Sequence, residues 1–235
     1  MISQEQNESR TVKVPNLPPP ATVRMAAPIF ILAPPRSFST VVSAMLGQHP
    51  QMYGLPEIHL FGAETVAEWL HQCADATYPM SHGLLRVVAQ IMYGGQTEHT
   101  VDRTRGWLAR RSHLDVGLLY EILARQVYPL VLVDKSPSIT YSLDSLQRAY
   151  RMFPNARFIH LTRHPRAQGR SVFKYIEERA RHGPMKPSHW LFHLLSFPFH
   201  FPGETTASNA PDPQRGWYIL NCNICQFLEK VPTGQ

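Results

Sequence analysis

Apolar residues in this chain fall into short unbroken runs set between longer stretches with helical spacing. The runs are Pro28-Ile29-Phe30-Ile31-Leu32-Ala33, Leu130-Val131-Leu132-Val133 and Arg157-Phe158-Ile159-His160-Leu161. Runs of this kind suit strands covered on both faces, as in a parallel sheet, where the apolar/polar alternation disappears. Thr40 to Leu46 reads as a helix closed by Gly47, a residue type that often ends helices. Two more helices are expected between Glu64 and Tyr93, ahead of the loop Gly94-Gly95. Ser112-x-x-Asp115 has the form of a capping box before Leu118, Leu119, Ile122 and Leu123, which share a helical face ending at Pro129. Leu143, Leu146, Tyr150 and Phe153 repeat at helical spacing up to Pro154-Asn155. A further helix is expected from about Pro165 to Arg181, with Glu177 and Arg181 at i,i+4 and a stop at His182-Gly183-Pro184.

Strands alternating with helices predict an α/β domain, a three-layer α/β/α arrangement around a central parallel sheet. In such sheets ligands gather beyond the carboxyl ends of the strands. Residues 1–27 are polar and then proline-rich, through Pro15-Asn16-Leu17-Pro18-Pro19-Pro20, and read as a disordered tail with extended geometry. The domain is expected over 28–235. Within it, 184–216 is rich in Pro, His and Phe and reads as a long irregular segment able to cover a site.

Composition narrows the class. At 235 residues there is room for one sizeable domain, and 43% hydrophobic content excludes wholesale disorder. A net charge of +6, from 23 Lys+Arg against 17 Asp+Glu, points to an anionic partner without naming it. Three cysteines are too few and odd in number for a disulfide scaffold. Cys222 and Cys225 form a C-x-x-C with no second pair and no histidine at ligand spacing, so they read as small core residues on a helix face rather than half a zinc site. The amino-terminal residues lack the apolar core of a signal peptide, and no run approaches the ~20 apolar residues of a membrane span. A soluble cytoplasmic protein is expected.

The strand ends hold the candidate chemistry. After the first strand comes Pro34-Pro35-Arg36-Ser37-Phe38-Ser39-Thr40, directly before a helix. A strand–loop–helix of this kind aims backbone N–H groups and a positive helix end at its contents, which favours phosphate. Arg36, Ser37, Ser39 and Thr40 add a cation and three hydroxyls. The glycines and lysine of the G-x-x-x-x-G-K-[ST] loop are absent. After the third strand comes Thr162-Arg163-His164-Pro165, with Ser171 under two turns into the following helix, able to point back toward an anion held by Arg163.

These two segments, P-P-R-S-F-S-T-V and R-F-I-H-L-T-R-H-P-R-A-Q-G-R-S-V, resemble the 5′-phosphosulfate loop and the 3′-phosphate motif of sulfotransferases that use 3′-phosphoadenosine 5′-phosphosulfate (PAPS). Gly47-Gln48-His49-Pro50, Gly54-Leu55-Pro56-Glu57, Asp134-Lys135-Ser136-Pro137 and Phe153-Pro154-Asn155-Ala156-Arg157 agree with the same family. The resemblance runs over roughly 28–235, and from Pro28 to Phe61 it is most similar to sulfotransferases of bacterial polyketide and olefin-forming pathways. It implies a P-loop NTPase-like sulfotransferase fold. It also implies that Arg36, Ser37, Phe38, Ser39 and Thr40 bind the 5′-phosphosulfate, with Arg36 neutralising charge on the bridging oxygen. Arg163 and Ser171 would hold the 3′-phosphate.

The acceptor would be a hydroxyl of a small molecule or of an acyl-carrier-bound chain, and Glu57 matches the position of a catalytic base in this branch. His59 competes for that role. Burial is expected to raise the Glu57 pKa toward working pH. Lys135 is open between a catalytic and a structural role. Sulfuryl carries less charge than phosphoryl, so arginine, hydroxyls and a helix end can act together without a metal. Relatives continue into another strand and further helices after the segment Arg215–Pro232, so the family domain is expected to be C-terminally truncated here.

Three other readings remain open at this level. A P-loop nucleotide kinase shares the strand–loop–helix site, with Asp134 as its magnesium candidate, but lacks the Walker lysine. A nucleic-acid-binding module is suggested by the charge and by Arg103, Arg105, Arg110 and Arg111, although no RNP-type motif accompanies them. A non-catalytic sulfotransferase-like fragment is the third.

Overall fold

The computed structural model describes residues 25–74, 80–181 and 212–234. Four parallel strands lie in the order β2-β3-β1-β4: β1 Ile29–Leu32, β2 Met52–Gly54, β3 Val131–Asp134 and β4 Arg157–His160. Eight helices are present among the described residues. They are α1 Ser39–Gly47, α2 Val66–Cys73, α3 Met80–Tyr93, α4 Glu98–Ala109, α5 Val116–Val127, α6 Leu143–Met152, α7 Pro165–Arg181 and α8 Pro213–Leu228. The α/β class and the central parallel sheet are those expected. The proline-rich residues 1–24 and most of the irregular segment, 182–211, lie outside the described residues.

The central strand explains the layering. All four residues of β1 are buried, and its side chains alternate between two apolar layers. Phe30 and Leu32 face a large core with Phe61, Trp69, Leu84, Tyr120, Phe153 and Ile224. Ile29 and Ile31 face a thinner layer with Val133, closed by Val42 and Leu46 of α1. Phe30 meets Phe61 edge-on at 5.3 Å between ring centroids, and stacks on Phe158 of the adjacent β4 at 5.7 Å. These aromatic contacts fix the sheet against its helices.

Several local expectations are corrected. The edge strand β2 and the helix α4 were not anticipated. β2 has three half-buried residues and ends in glycine, so it carries neither an apolar run nor alternation. Gly47 does not close α1 through a left-handed turn; Gln48 caps the helix in right-handed geometry. Gly47 is there for close approach, since a Cβ on it would lie 3.2 Å from the Gly54 backbone. Asp115 caps α5 alone, accepting from Gly117 N at 2.6 Å, and Ser112 is not its capping partner. Cys222 and Cys225 are exposed, not core. The buried stripe of α8 is Pro213, Gly216, Leu220, Ile224 and Phe227, and the two cysteines fall off it.

Because all four strands are parallel, their carboxyl ends share one edge. Parallel pairing therefore collects the loop after β1 (33–38), the loop after β2 (55–59), the segment after β3 (135–138) and the segment after β4 (161–164) at one place.

Candidate active site

The loop from β1 into α1 is strained. Arg36 and Phe38 both have positive φ, 67° and 64°, in the left-handed region that side chains disfavour. The strain is held by long-range bonds. Arg163 Nη1 donates to the Arg36 carbonyl at 2.8 Å, and Gln168 Nε2 donates to the Pro35 carbonyl at 2.9 Å. Arg163 also stacks its guanidinium on the exposed Phe38 ring at 4.0 Å. The Arg163 carbonyl in turn accepts from Trp217 Nε1 at 2.7 Å. Arg36 Nε donates to Ser171 Oγ at 3.2 Å, and its guanidinium lies over Tyr175 at 5.4 Å. Thus Arg36, Phe38, Arg163 and Ser171 do meet. Ser171 faces Arg36 rather than Arg163, and the Arg36 guanidinium lies on the α7 side of the loop.

At the other end of the same loop is a second cluster. Lys135 Nζ donates to Thr40 Oγ1 at 3.2 Å and to Glu57 Oε1 at 2.5 Å. Glu57 Oε2 lies 3.6 Å from His59 Nε2, while His59 Nδ1 shares a 2.9 Å hydrogen bond with Ser138 Oγ. A carboxylate can only accept, so a proton on Nε2 satisfies both contacts and makes Nδ1 the acceptor of the Ser138 hydroxyl. Burial would push the Glu57 carboxyl up, but the His59 contact and the Lys135 charge outweigh it and hold the pKa to about 2. This reverses the raised value expected from burial alone. His59 and Lys135 together supply the missing influence.

The Glu57–His59 turn is fixed from below by β3. Ser136 Oγ accepts from Ile58 N at 2.9 Å and His59 N at 3.0 Å, and donates to Asp134 Oδ1 at 2.7 Å. Ser136 N donates to the same carboxylate oxygen at 2.8 Å. Burial raises the Asp134 pKa, against the two Ser136 bonds that lower it. These bonds hold His59 in a left-handed backbone conformation, φ 53°. The His59 side chain is 5% exposed with both ring nitrogens engaged, whereas that of Glu57 is 38% exposed. Of the two base candidates, Glu57 is therefore the more open to an acceptor.

An open cleft of about 580 Å³ adjoins this cluster, lined by Thr40, Ser43 and Gly47 of α1, Glu57, His59, Lys135, and His82 and Arg86 of α3 among others. Sequence reasoning missed Gln168, Trp217, Ser136 and Ser138 as supports, and His82 and Arg86 as lining. Only the position of Gln168, one turn before Ser171 on the same helix, carried a usable signal. Three of the four arginines in and after α4 have local partners: Arg103 stacks on Tyr93, Arg111 on Trp107, and Arg105 pairs with Asp102.

The loop suits an anionic group at its centre. Among the described residues the buried Ser37 hydroxyl has no hydrogen-bond partner, and α1 has no side-chain cap. Val41 N donates to the Phe38 carbonyl at 3.0 Å, while the Ser39 and Thr40 N–H groups and that hydroxyl have no acceptor among the described residues. No group of three or more His, Cys, Asp or Glu able to hold a metal occurs among the described residues. No helix among them is long and apolar enough to cross a membrane.

Comparison with known proteins fits this geometry. No curated protein matches the chain. Among solved structures, the sulfotransferase domain of the Synechococcus PCC 7002 olefin synthase is similar, with a TM-score of 0.65 and 25% identity over 92% of this chain and 66% of that one. The sulfotransferase domain from the curacin biosynthetic pathway is similar too, with a TM-score of 0.64 and 25% identity over 90% of this chain and 65% of that one. The chain thus spans just under two thirds of each. Both neighbours come from the kind of pathway that the Pro28–Phe61 stretch resembles. The profile of the sulfotransferase family matches residues 28–189, which take in both arginine loops, Glu57 and Lys135. The chain belongs to the sulfotransferase family.

Proposed function

We propose that this protein transfers a sulfuryl group from PAPS to a hydroxyl of a small-molecule or acyl-carrier-bound acceptor. The observation that carries the reading is the double-ended loop. Arg36, Arg163 and Ser171 gather at one end, Lys135, Thr40 and Glu57 at the other, and an uncapped helix start with an unpartnered serine lies between. Two separated cationic groups suit a nucleotide with phosphates on both the 3′ and 5′ positions. Ser37, Phe38, Ser39 and Thr40 would line the 5′-phosphosulfate. Arg36, expected there from the sequence, instead turns to Ser171 and Tyr175 and would join Arg163 and Ser171 toward the 3′-phosphate, leaving the bridging oxygen to Lys135.

In the reaction, the acceptor oxygen forms a bond to sulfur while the bond from sulfur to the bridging phosphate oxygen breaks. The electron pair of that bond leaves with adenosine 3′,5′-bisphosphate. The acceptor proton passes to Glu57. Lys135 touches both the donor loop and Glu57, and so serves two ends. By neutralising the departing phosphate it loosens its hold on Glu57, whose carboxylate becomes a better base when the donor is in place. His59 and Ser138 orient Glu57 rather than receive the proton. Two similar structures are sulfotransferase domains of an olefin synthase and of a curacin pathway, which supports a carrier-bound acceptor over a free alcohol.

The test is product analysis. The protein is incubated with PAPS and a 3-hydroxyacyl thioester, and both products are followed by mass spectrometry. Sulfated thioester and bisphosphate should appear in equal amounts. Formation of a phosphorylated acceptor from ATP and magnesium, with no transfer from PAPS, would replace this reading by the kinase one.

A further inference from the structure

We infer that the cleft beside Glu57 takes an acceptor that carries an anionic group, a phosphate or a carboxylate, received by Arg86 and His82 of α3. The inference rests on the sulfotransferase reading for the position of the reacting hydroxyl, and adds the class of acceptor.

The lining of the cleft is unbalanced in charge. Its cations are Lys135 and Arg86, with the imidazoles of His59 and His82 beside them, and its one carboxylate is Glu57. That carboxylate is already held by Lys135 and His59, so it offers nothing to the outer pair. Arg86 is oriented but not neutralised. Its Nε donates to Gln96 Oε1 at 2.7 Å, and Gln96 Nε2 donates to Gln90 Oε1 at 3.4 Å. Its terminal nitrogens pair with no carboxylate among the described residues, and neither does His82. Several arginines elsewhere in the fold are satisfied. Arg148 and Arg151 share Glu64, Arg125 takes Glu121, and Arg103 and Arg111 lie on aromatic rings. A guanidinium propped by a neutral amide, with its two-nitrogen fork open, suits a planar carboxylate or a phosphate.

The distance from the reacting centre is fixed by packing. His82, Gly83 and Arg86 lie on one face of α3, and Gly83 is pressed on the backbone of the Glu57 loop. A Cβ on Gly83 would fall 1.8 Å from the Glu57 carbonyl oxygen. The basic pair is therefore tied to the residue that receives the proton, and the acceptor's hydroxyl and its anionic group are read at a set separation.

Calorimetric titration of the full chain tests this with matched pairs. One pair is 3-hydroxybutyryl-4′-phosphopantetheine and 3-hydroxybutyryl-pantetheine; the other is 3-hydroxyglutarate and its diamide. The anionic member of at least one pair should bind about tenfold more tightly than its neutral twin, as expected of one charge-assisted contact. A preference in the first pair assigns a phosphate, and a preference confined to the second assigns a carboxylate. Arg86→Ala should abolish the preference and leave the affinity for adenosine 3′,5′-bisphosphate unchanged. Equal binding within both pairs, or a preference that survives Arg86→Ala, overturns the inference. A wild-type chain that ignores the bisphosphate yet shows the Arg86-dependent preference would refute the PAPS reading and leave the anionic subsite standing.

Discussion

The Lys135 ammonium lies 2.5 Å from a Glu57 carboxylate oxygen and 3.2 Å from the Thr40 hydroxyl, so a single cation joins the candidate base to the candidate donor loop. Buried ion pairs are costly to desolvate and are weak evidence of stability by themselves. Together with the His59 contact, this one holds the Glu57 pKa down to about 2.

Replacing Lys135 with methionine keeps most of the side-chain volume and removes the charge. The Glu57 titration, followed by carboxyl NMR, should move upward by at least about one pKa unit. The sign for stability follows. A depressed carboxylate stabilises the fold above its unfolded pKa and loses that contribution as pH falls toward its folded value. The wild-type chain should therefore lose stability between about pH 4.5 and about pH 2 through this group, and Lys135→Met should flatten that limb. An unchanged titration would mean that His59 alone sets the Glu57 charge.

Ser136→Ala leaves the Ile58 and His59 amides without their acceptor beneath the active-site turn. Two buried N–H groups unsatisfied at once should cost roughly 2–4 kcal/mol in urea denaturation. A loss under ~0.5 kcal/mol would show that the turn holds itself.

Gly83→Ala forces a methyl into the Glu57 carbonyl and should destabilise by on the order of 1–3 kcal/mol while displacing α3 from the cleft. Gly95→Ala is the control. A Cβ there meets nothing within 4 Å and its φ lies outside the left-handed range, so its unfolding midpoint should hardly move. Equal effects of the two substitutions would contradict the close approach.

Phe38→Gly removes a side chain that is 58% exposed from a position at φ 64°. Relief of left-handed strain should leave the fold unharmed or up to ~1 kcal/mol more stable. Loss of the ring under Arg163 should at the same time weaken bisphosphate binding severalfold. If stability falls instead, Phe38 serves the fold and not the site.

How far the sequence revealed this protein depends on the range of each signal. β1, β3 and β4 could be read because strands buried in a parallel sheet form unbroken apolar runs. β2 could not, since Met52, Tyr53 and Gly54 are half-buried at an edge. α4 escaped because it is polar, with Trp107 and Leu108 its large buried residues and a Thr97–Thr100 capping box that lacks the usual acidic partner. Arg36 and Arg163 were visible because each follows a strand that could be read, whereas Glu57, beyond the unread β2, was visible only through the family resemblance. The influence that sets the Glu57 charge was not. Lys135 and Ser136 reach the Glu57–His59 turn across some 78 residues of chain, through the pairing of β2 with β3 and of β3 with β1. Local burial argues for a raised pKa, and only the folded neighbour reverses it.

The central claim is that Arg36 and Arg163 serve the two-phosphate nucleotide of a sulfuryl donor. Calorimetric titration of the wild-type chain with adenosine 3′,5′-bisphosphate and, separately, with AMP tests it most directly. The bisphosphate should bind at least about tenfold more tightly, and Arg36→Ala and Arg163→Ala should each remove roughly 1–3 kcal/mol of its binding. Equal affinity for the bisphosphate and AMP in the wild-type chain would contradict the account.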